Sequence, residues 1–201
     1  MKCLLMFVCA LALATTAVAD VPDPSNCSTS LDVPQRLYMC PDGLGDCAQA
    51  DFSVTVRNAA NNPINNAVVE ILVGGQVEGY TVICSGQTLT ANTNASGIVA
   101  FNVGGGGCHK AANACVIRAN GVEIRNFNTV VSADYGFSDN GGNIGGNYTV
   151  SPGDFGAFAA AYQGGVGPAS CHDYDNSGVT APGDFGTFAE AYKGGINFCN
   201  P

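Results

Sequence analysis

The chain has 201 residues, and 16 acidic against 7 basic side chains give it a formal charge of -9. That balance repels phosphate backbones and anionic bilayers, so neither a nucleic acid nor a lipid surface is an expected partner. Only 11% of residues are charged while 27 are glycine, the composition of a turn-rich chain whose surplus carboxylates serve either calcium or solubility.

Lys2 precedes the apolar run "LLMFVCALALA", and Ala17-Val18-Ala19 places small residues just before Asp20. Residues 1–19 therefore read as a secretory leader, too short and wrongly flanked for a membrane span. The residues before Cys3 and Cys9 lack the lipoprotein pattern, and no later stretch has the length or apolarity for membrane insertion. The expectation is a secreted protein, extracellular or at the cell surface. Of ten cysteines, Cys3 and Cys9 leave with the leader. The eight that remain are Cys27, Cys40, Cys47, Cys84, Cys108, Cys115, Cys171 and Cys199. An even set in an oxidising compartment predicts disulfides, and the absence of any C-x-x-C argues against zinc. Spacing leaves the connectivity open among about 105 pairings.

Residues 20–47 form a Pro- and Cys-bearing lead-in with short strands predicted in "STSLDV" and "RLYMC". In "DFSVTVRN", Phe52, Val54 and Val56 alternate with Ser53, Thr55 and Arg57, the period of a half-buried strand. After the turn "AANNP", "INNAVVEILVGG" sets Val69, Ile71 and Val73 on one face. "GYTVICSG", "QTLTANT" and "GIVAFNV" follow at strand-like spacing. In "ACVIRANGVEIRNF", Asn120-Gly121 predicts a type I′ hairpin because both turn residues need positive φ. Short strands at this spacing indicate a mainly β fold, an antiparallel immunoglobulin-like β-sandwich over 48–131. "DFSVTVRNAANNPINNAVVEILVGG" with "TANTNASGIVAFNV" also resembles the bacterial immunoglobulin-like domains of adhesins and invasins. That resemblance implies a spacer, stalk or adhesive module and brings no active site.

Beyond residue 131 a duplication begins. Residues 152–165 and 182–195 differ only at Ala157/Thr187, Ala160/Glu190 and Gln163/Lys193. Phe155, Phe158, Ala159 and Tyr162, and likewise Phe185, Phe188, Ala189 and Tyr192, recur at i, i+3, i+4 and i+7, which predicts two short helices packed by an apolar stripe. Helices this short need something to fix their starts. Before the second, with Asp173 as position 1, Asp175 falls at 3, Ser177 at 5, Gly178 at 6, Val179 at 7 and Asp184 at 12. These are the oxygen-donor positions of an EF-hand-type loop, so Asp173, Asp175, Ser177, the Val179 carbonyl and Asp184 are the candidate ligands of Ca2+. Ala181 at position 9 and Asp instead of Glu at 12 depart from that pattern. The competing reading is a solvated turn in which Asp184 only caps the helix. In the first copy the matching positions supply Asn143, Asn147 and Asp154, a second and much poorer metal candidate unless a longer loop begins at Asp134 or Asp139.

The tandem loop-helix units resemble a dockerin type I module, and the whole chain resembles secreted bacterial proteins that join an immunoglobulin-like domain to such a tail over 132–201. Dockerins bind a cohesin through a Ser-Thr type pair at loop positions 10 and 11 and basic helix residues. Here those places hold Pro182-Gly183 and Pro152-Gly153, then Glu190-Ala191 and Ala160-Ala161. The resemblance therefore implies the fold and the calcium but not cohesin binding. Cys171 and Cys199 bracket the second unit and are predicted to pair, a closure that contributes about 3–4 kcal/mol in the chain-entropy model.

No G-x-S-x-G or H-E-x-x-H is present, and "GGGGCHK" around His109 lacks the order of a phosphate loop. His172 only precedes the metal loop, and no enzyme activity is expected. Trp is absent, which leaves Tyr38 and Tyr80 as the aromatic candidates for a glycan surface. "NCS" at 26–28, "NAS" at 94–96 and "NYT" at 147–149 match the glycosylation pattern, which carries little weight in the bacterial protein that the resemblance implies. The sequence reads as a calcium-stabilised structural or adhesive protein with self-association or a protein partner. An anchoring module that docks to a receptor is the alternative, and carbohydrate binding a lesser one.

Overall fold

The alternation in "DFSVTVRN" becomes strand β3 (Asp51–Thr55), whose Phe52 and Val54 turn inward while Ser53 and Thr55 stay at the rim. The computed structural model describes residues 21–31, 36–41, 47, 50–140, 143–164, 171–175 and 177–192, with the backbone alone at 137–140 and 143–144. The expected leader over 1–19 and Cys199 lie outside the described residues. Strand β1 (Ser28–Thr29) and strand β7 (Ile98–Asn102) flank β3 in an antiparallel three-stranded sheet. Phe52 and Phe101 face each other across it with ring centroids 5.6 Å apart.

The larger sheet has six strands: β2 (Arg36–Tyr38), β4 (Val68–Val73), β5 (Thr81–Ile83), β6 (Thr90–Asn92), β8 (Gly105–Ala119) and β9 (Val122–Val131). Its order is β2-β9-β8-β4-β6, with β5 paired to the start of β8. The β8–β9 hairpin turns at Asn120 (φ 47°) and Gly121 (φ 79°), the positive pair the Asn-Gly signal calls for. Val69, Ile71 and Val73 of β4 all face inward as their spacing predicts. Together with Phe127, Ile117 and Leu37 they meet Phe52, Val54, Val99 and Phe101 of the smaller sheet in one apolar core.

The pairing of β2 departs from the all-antiparallel expectation. Strand β2 runs parallel to β9, Arg36 opposite Thr129 and Tyr38 opposite Val131. The lead-in crosses from the smaller sheet, where β1 sits, to the larger, and a crossover of this kind is free of the reversal that a hairpin imposes. The glycine run before His109 also has a structural use. Residues 105–107 pair antiparallel with β5, and a Cβ at Gly106 would overlap the Asp134 carboxylate. Asp134, fully buried, accepts the backbone N–H of Asn147 (3.1 Å) and Tyr148 (2.8 Å).

Strands β10 (Gly136–Asn140) and β11 (Asn143–Gly145) pair antiparallel ahead of the helices α1 (Pro152–Tyr162) and α2 (Pro182–Tyr192). The buried stripe is not the one the aromatic spacing predicts. Asp154, Ala157, Phe158 and Ala161 face inward on α1, and Asp184, Phe188 and Ala191 on α2. Phe155, Tyr162, Phe185 and Tyr192 are 40% to 50% exposed. The aspartates cause the rotation: each must reach back to backbone N–H groups before its helix, so its face turns inward. Phe158 and Phe188 stack at the centre, 5.3 Å apart, with Phe155 against Phe188 (5.9 Å) and Phe185 against Phe158 (6.0 Å). The helices rest on a second apolar cluster that also contains Tyr38, Cys108, Val131 and Tyr135, so the tail and the large sheet share a core. Among the described residues no helix is long and apolar enough to cross a membrane.

The cysteines correct two expectations. Cys171 is bonded to Cys108, not to Cys199, because the start of the second loop lies against β8. Cys40 pairs with Cys47, and Cys84 is also disulfide-bonded. Cys27 and Cys115 are free and buried, where an all-disulfide set was expected. Cys27 Sγ accepts from the Arg57 N–H (3.4 Å), and Cys115 sits inside the large sheet between Val73 and Phe127. Burial pushes the Cys115 thiol up to about 12, which removes the reactive thiolate. Alkylation of the native, unreduced chain should leave both unlabelled, and alkylation in denaturant should add label at both. Labelling of Cys115 in the native state would show that the core opens.

Candidate metal centre

Pro182 occupies the first position of α2, where its missing N–H is no loss, and Asp184 falls at the third. From there one Asp184 oxygen, Oδ2, accepts the Ala181 N–H (2.8 Å), half of a capping box. The other, Oδ1, accepts the Asp175 N–H (3.1 Å) and the Tyr174 N–H. A single buried carboxylate thus fastens the loop to the helix it precedes. Asp154 does the equivalent for α1, bonding the Ser151 N–H (2.6 Å) and hydroxyl (2.8 Å).

At the front of the loop, Asp173 Oδ2 accepts the N–H of Gly178 (3.0 Å), a residue at φ 91° that suits glycine. The same oxygen accepts Nη2 of Arg36 at 3.2 Å, with both side chains buried. Among the described residues Asp173 Oδ1 is buried without a hydrogen-bond partner. Asp175 is exposed, and its Oδ1 accepts the Ser177 N–H (2.9 Å). That bond holds the Asp175 carboxyl below its ordinary value against the opposing pull of burial. Gly183 leaves room beside it, since a Cβ there would lie 3.1 Å from Asp175 Oδ2.

The outcome is a cluster in which Asp173, Asp175 and Asp184 each offer a carboxylate oxygen, all within 4.8 Å of one another. Such a cluster can hold a metal ion. Among the described residues its donors are hard oxygens, because Cys171 is consumed in a disulfide, and the unpartnered Asp173 oxygen fits a cation that takes carboxylate ligands. Of the other candidates, the Ser177 hydroxyl donates to the Val179 carbonyl (3.0 Å), so these two bond to each other. Among the first-copy candidates, the Asn143 side chain lies outside the described residues. Asn143 belongs to β11, Asn147 Oδ1 accepts the Thr149 N–H (3.0 Å), and Asp154 caps α1. Asp134, considered as the start of a longer loop, instead pins the first copy by the Asn147 and Tyr148 bonds.

Arg36 escaped the sequence reading because nothing local marks it; its partner is 137 residues away. Burial pulls the guanidinium below its ordinary value, and Asp173, Asp184 and Asp175 oppose that pull; it stays cationic. His172 is 1% exposed and packs among Tyr135 (5.4 Å), Phe158 (5.8 Å) and Tyr174, whose hydroxyl lies 3.3 Å from Nδ1. Burial draws its pKa down to about 4, so it is a neutral core residue at neutral pH. Tyr38 is buried edge-on to Tyr174 (5.7 Å) and does not reach a surface where a glycan could stack; Tyr80 is 45% exposed and lies over His109 at 5.8 Å. Comparison with known proteins finds no matching family model, curated protein or solved structure.

Proposed function

We propose that this is a secreted structural or adhesive protein of the cell surface or extracellular matrix, an immunoglobulin-like β-sandwich whose dockerin-like tail is stabilised by calcium. The observation that carries the reading is the aspartate cluster, and within it the buried Asp173 oxygen that no hydrogen bond from the described residues satisfies. The disulfides are compatible with an extracellular protein, and the core shared by two sheets supports the sandwich. Asp173, Asp175 and Asp184 would hold the ion, which when bound supplies neutralisation of the gathered carboxylates. The residues themselves cap α2, orient its Phe188 onto Phe158 and press the loop against β2 and β8. No step of this requires a reacting group, and the role is assembly without catalysis.

The test is calcium calorimetry and thermal unfolding of the full oxidised chain, because Cys108 and Arg36 belong to the site's surroundings. One site is expected, with calcium at a hundredfold above its Kd adding about 2.7 kcal/mol and raising Tm by about 5–10 °C. Asp173→Ala should abolish both. No binding heat and an unchanged Tm in chelator would reduce the loop to a helix cap and remove calcium from the reading.

A second reading, a tail that anchors to a separate receptor, is favoured by the exposed aromatic groove between the helices. Phe155, Tyr162, Pro182 and Phe185 line a space of about 340 Å³ there. Sedimentation of the purified chain in calcium separates the two. Concentration-dependent assembly supports the structural reading, and a monomer at all concentrations favours anchoring.

A further inference from the structure

We propose that Arg36 sets the charge of the aspartate cluster and so tunes it toward divalent and away from trivalent cations. The inference rests on the reading that the loop binds a cation. Among the described residues of the cluster, three carboxylates carry -3 and the guanidinium that meets Asp173 carries +1, which sum to -2. A divalent ion brings that total to zero, and a trivalent ion leaves an excess positive charge under a buried guanidinium.

The geometry gives this charge a fixed place. Arg36 is not part of the loop: it sits on β2, held in register opposite Thr129 of β9. Its Nη2 engages Asp173 Oδ2, and Oδ1 of the same carboxylate has no hydrogen bond among the described residues. The guanidinium therefore occupies one oxygen and leaves the other for a ligand, so it biases the site without filling it. A purely structural role is poorly served by such a pair, since a buried ion pair is often no more stabilising than apolar side chains of equal volume. Leu37 and Met39, on either side of Tyr38, are fully buried apolar residues. Affinity in oxygen-donor loops follows the count of ligand charges, and a cation held beside them lowers the effective count. Its repulsion grows in proportion to the charge of the incoming ion.

The experiment measures Ca2+ by calorimetry and Tb3+ by tyrosine-sensitised luminescence on the full oxidised chain, wild type, Arg36→Gln and Arg36→Lys. Arg36→Gln should tighten Ca2+ about tenfold and Tb3+ about thirtyfold, because the two logarithms scale as the ion charges. Arg36→Lys, which keeps the charge, should hold both affinities within about threefold of wild type. If the Gln variant loosens the ion-free tail, the folding penalty weakens both ions equally, and the Tb3+/Ca2+ ratio still rises about threefold. An unchanged ratio would overturn the proposal and leave Arg36 as a support that positions Asp173. A wild-type chain that binds neither ion overturns the calcium reading instead. Arg36→Gln binding in that case would uphold the role of Arg36, and its failure to bind would end both.

Discussion

Asp184→Ala should lower the stability of the chain by about 3–4 kcal/mol in chelator, before any metal is considered. Its carboxylate is fully buried and accepts three backbone N–H groups, those of Tyr174, Asp175 and Ala181. Hydrogen bonds to a charged group contribute about 1.5–3 kcal/mol each, and truncation leaves the donors unsatisfied out of water. The loss should appear as a lower Tm and as early hydrogen exchange in α2 and residues 171–175, with β3 and β4 protected as in wild type. Asp184→Asn retains oxygen and shape but not charge, so it should keep most of the fold while weakening calcium. The pair of variants separates the cap from the ligand: a Tm for Asp184→Ala equal to wild type in chelator would mean that the loop is ordered by something else.

The second large effect belongs to Cys108 and Cys171. Cys108→Ala should cost about 4 kcal/mol, the loop-closure contribution for a link across 63 residues. More specific than the magnitude is the location. The bond anchors the residue before His172 to β8, so its loss should free the tail from Tyr38, Val131 and Tyr135 while the core between the two sheets persists. Two-step unfolding, tail before sheets, is expected where the wild type shows one transition. A single transition at an unchanged temperature would rule out the bond as the tail's tether. Mass mapping of the oxidised chain provides a direct check, since a Cys171–Cys199 peptide would contradict the arrangement.

Local chemistry was legible in the chain. Period-two alternation marked β3 and β4, the Asn-Gly pair marked the β8–β9 turn, and the duplication marked both helices and the carboxylates of the loop. The misreadings share a cause. The buried helix face was sought among aromatic side chains, yet Asp154 and Asp184 decide it, because a carboxylate needed by the backbone outranks a ring that tolerates water. Parallel pairing of β2, the Cys108–Cys171 bond, the free Cys27 and Cys115, and Arg36 beside Asp173 all depend on segments far apart in sequence. No window of ten or twenty residues contains that information.

Strand β2 has a bearing on the order in which the molecule is made. Its neighbour β9 and the partner of its arginine are both synthesised much later, the latter 137 residues on. Until they emerge, β2 lacks both its neighbouring strand and the Asp173 carboxylate, and contacts of such long range are slow to form. A chain interrupted before residue 171 would hold Cys108 as a thiol and Arg36 without the Asp173 carboxylate, while most of its strands are already present. Completion of the second loop is thus the event that covers the Arg36 and Tyr38 side chains of β2, and a protein stopped short of it would present them uncovered to whatever proteases share its compartment.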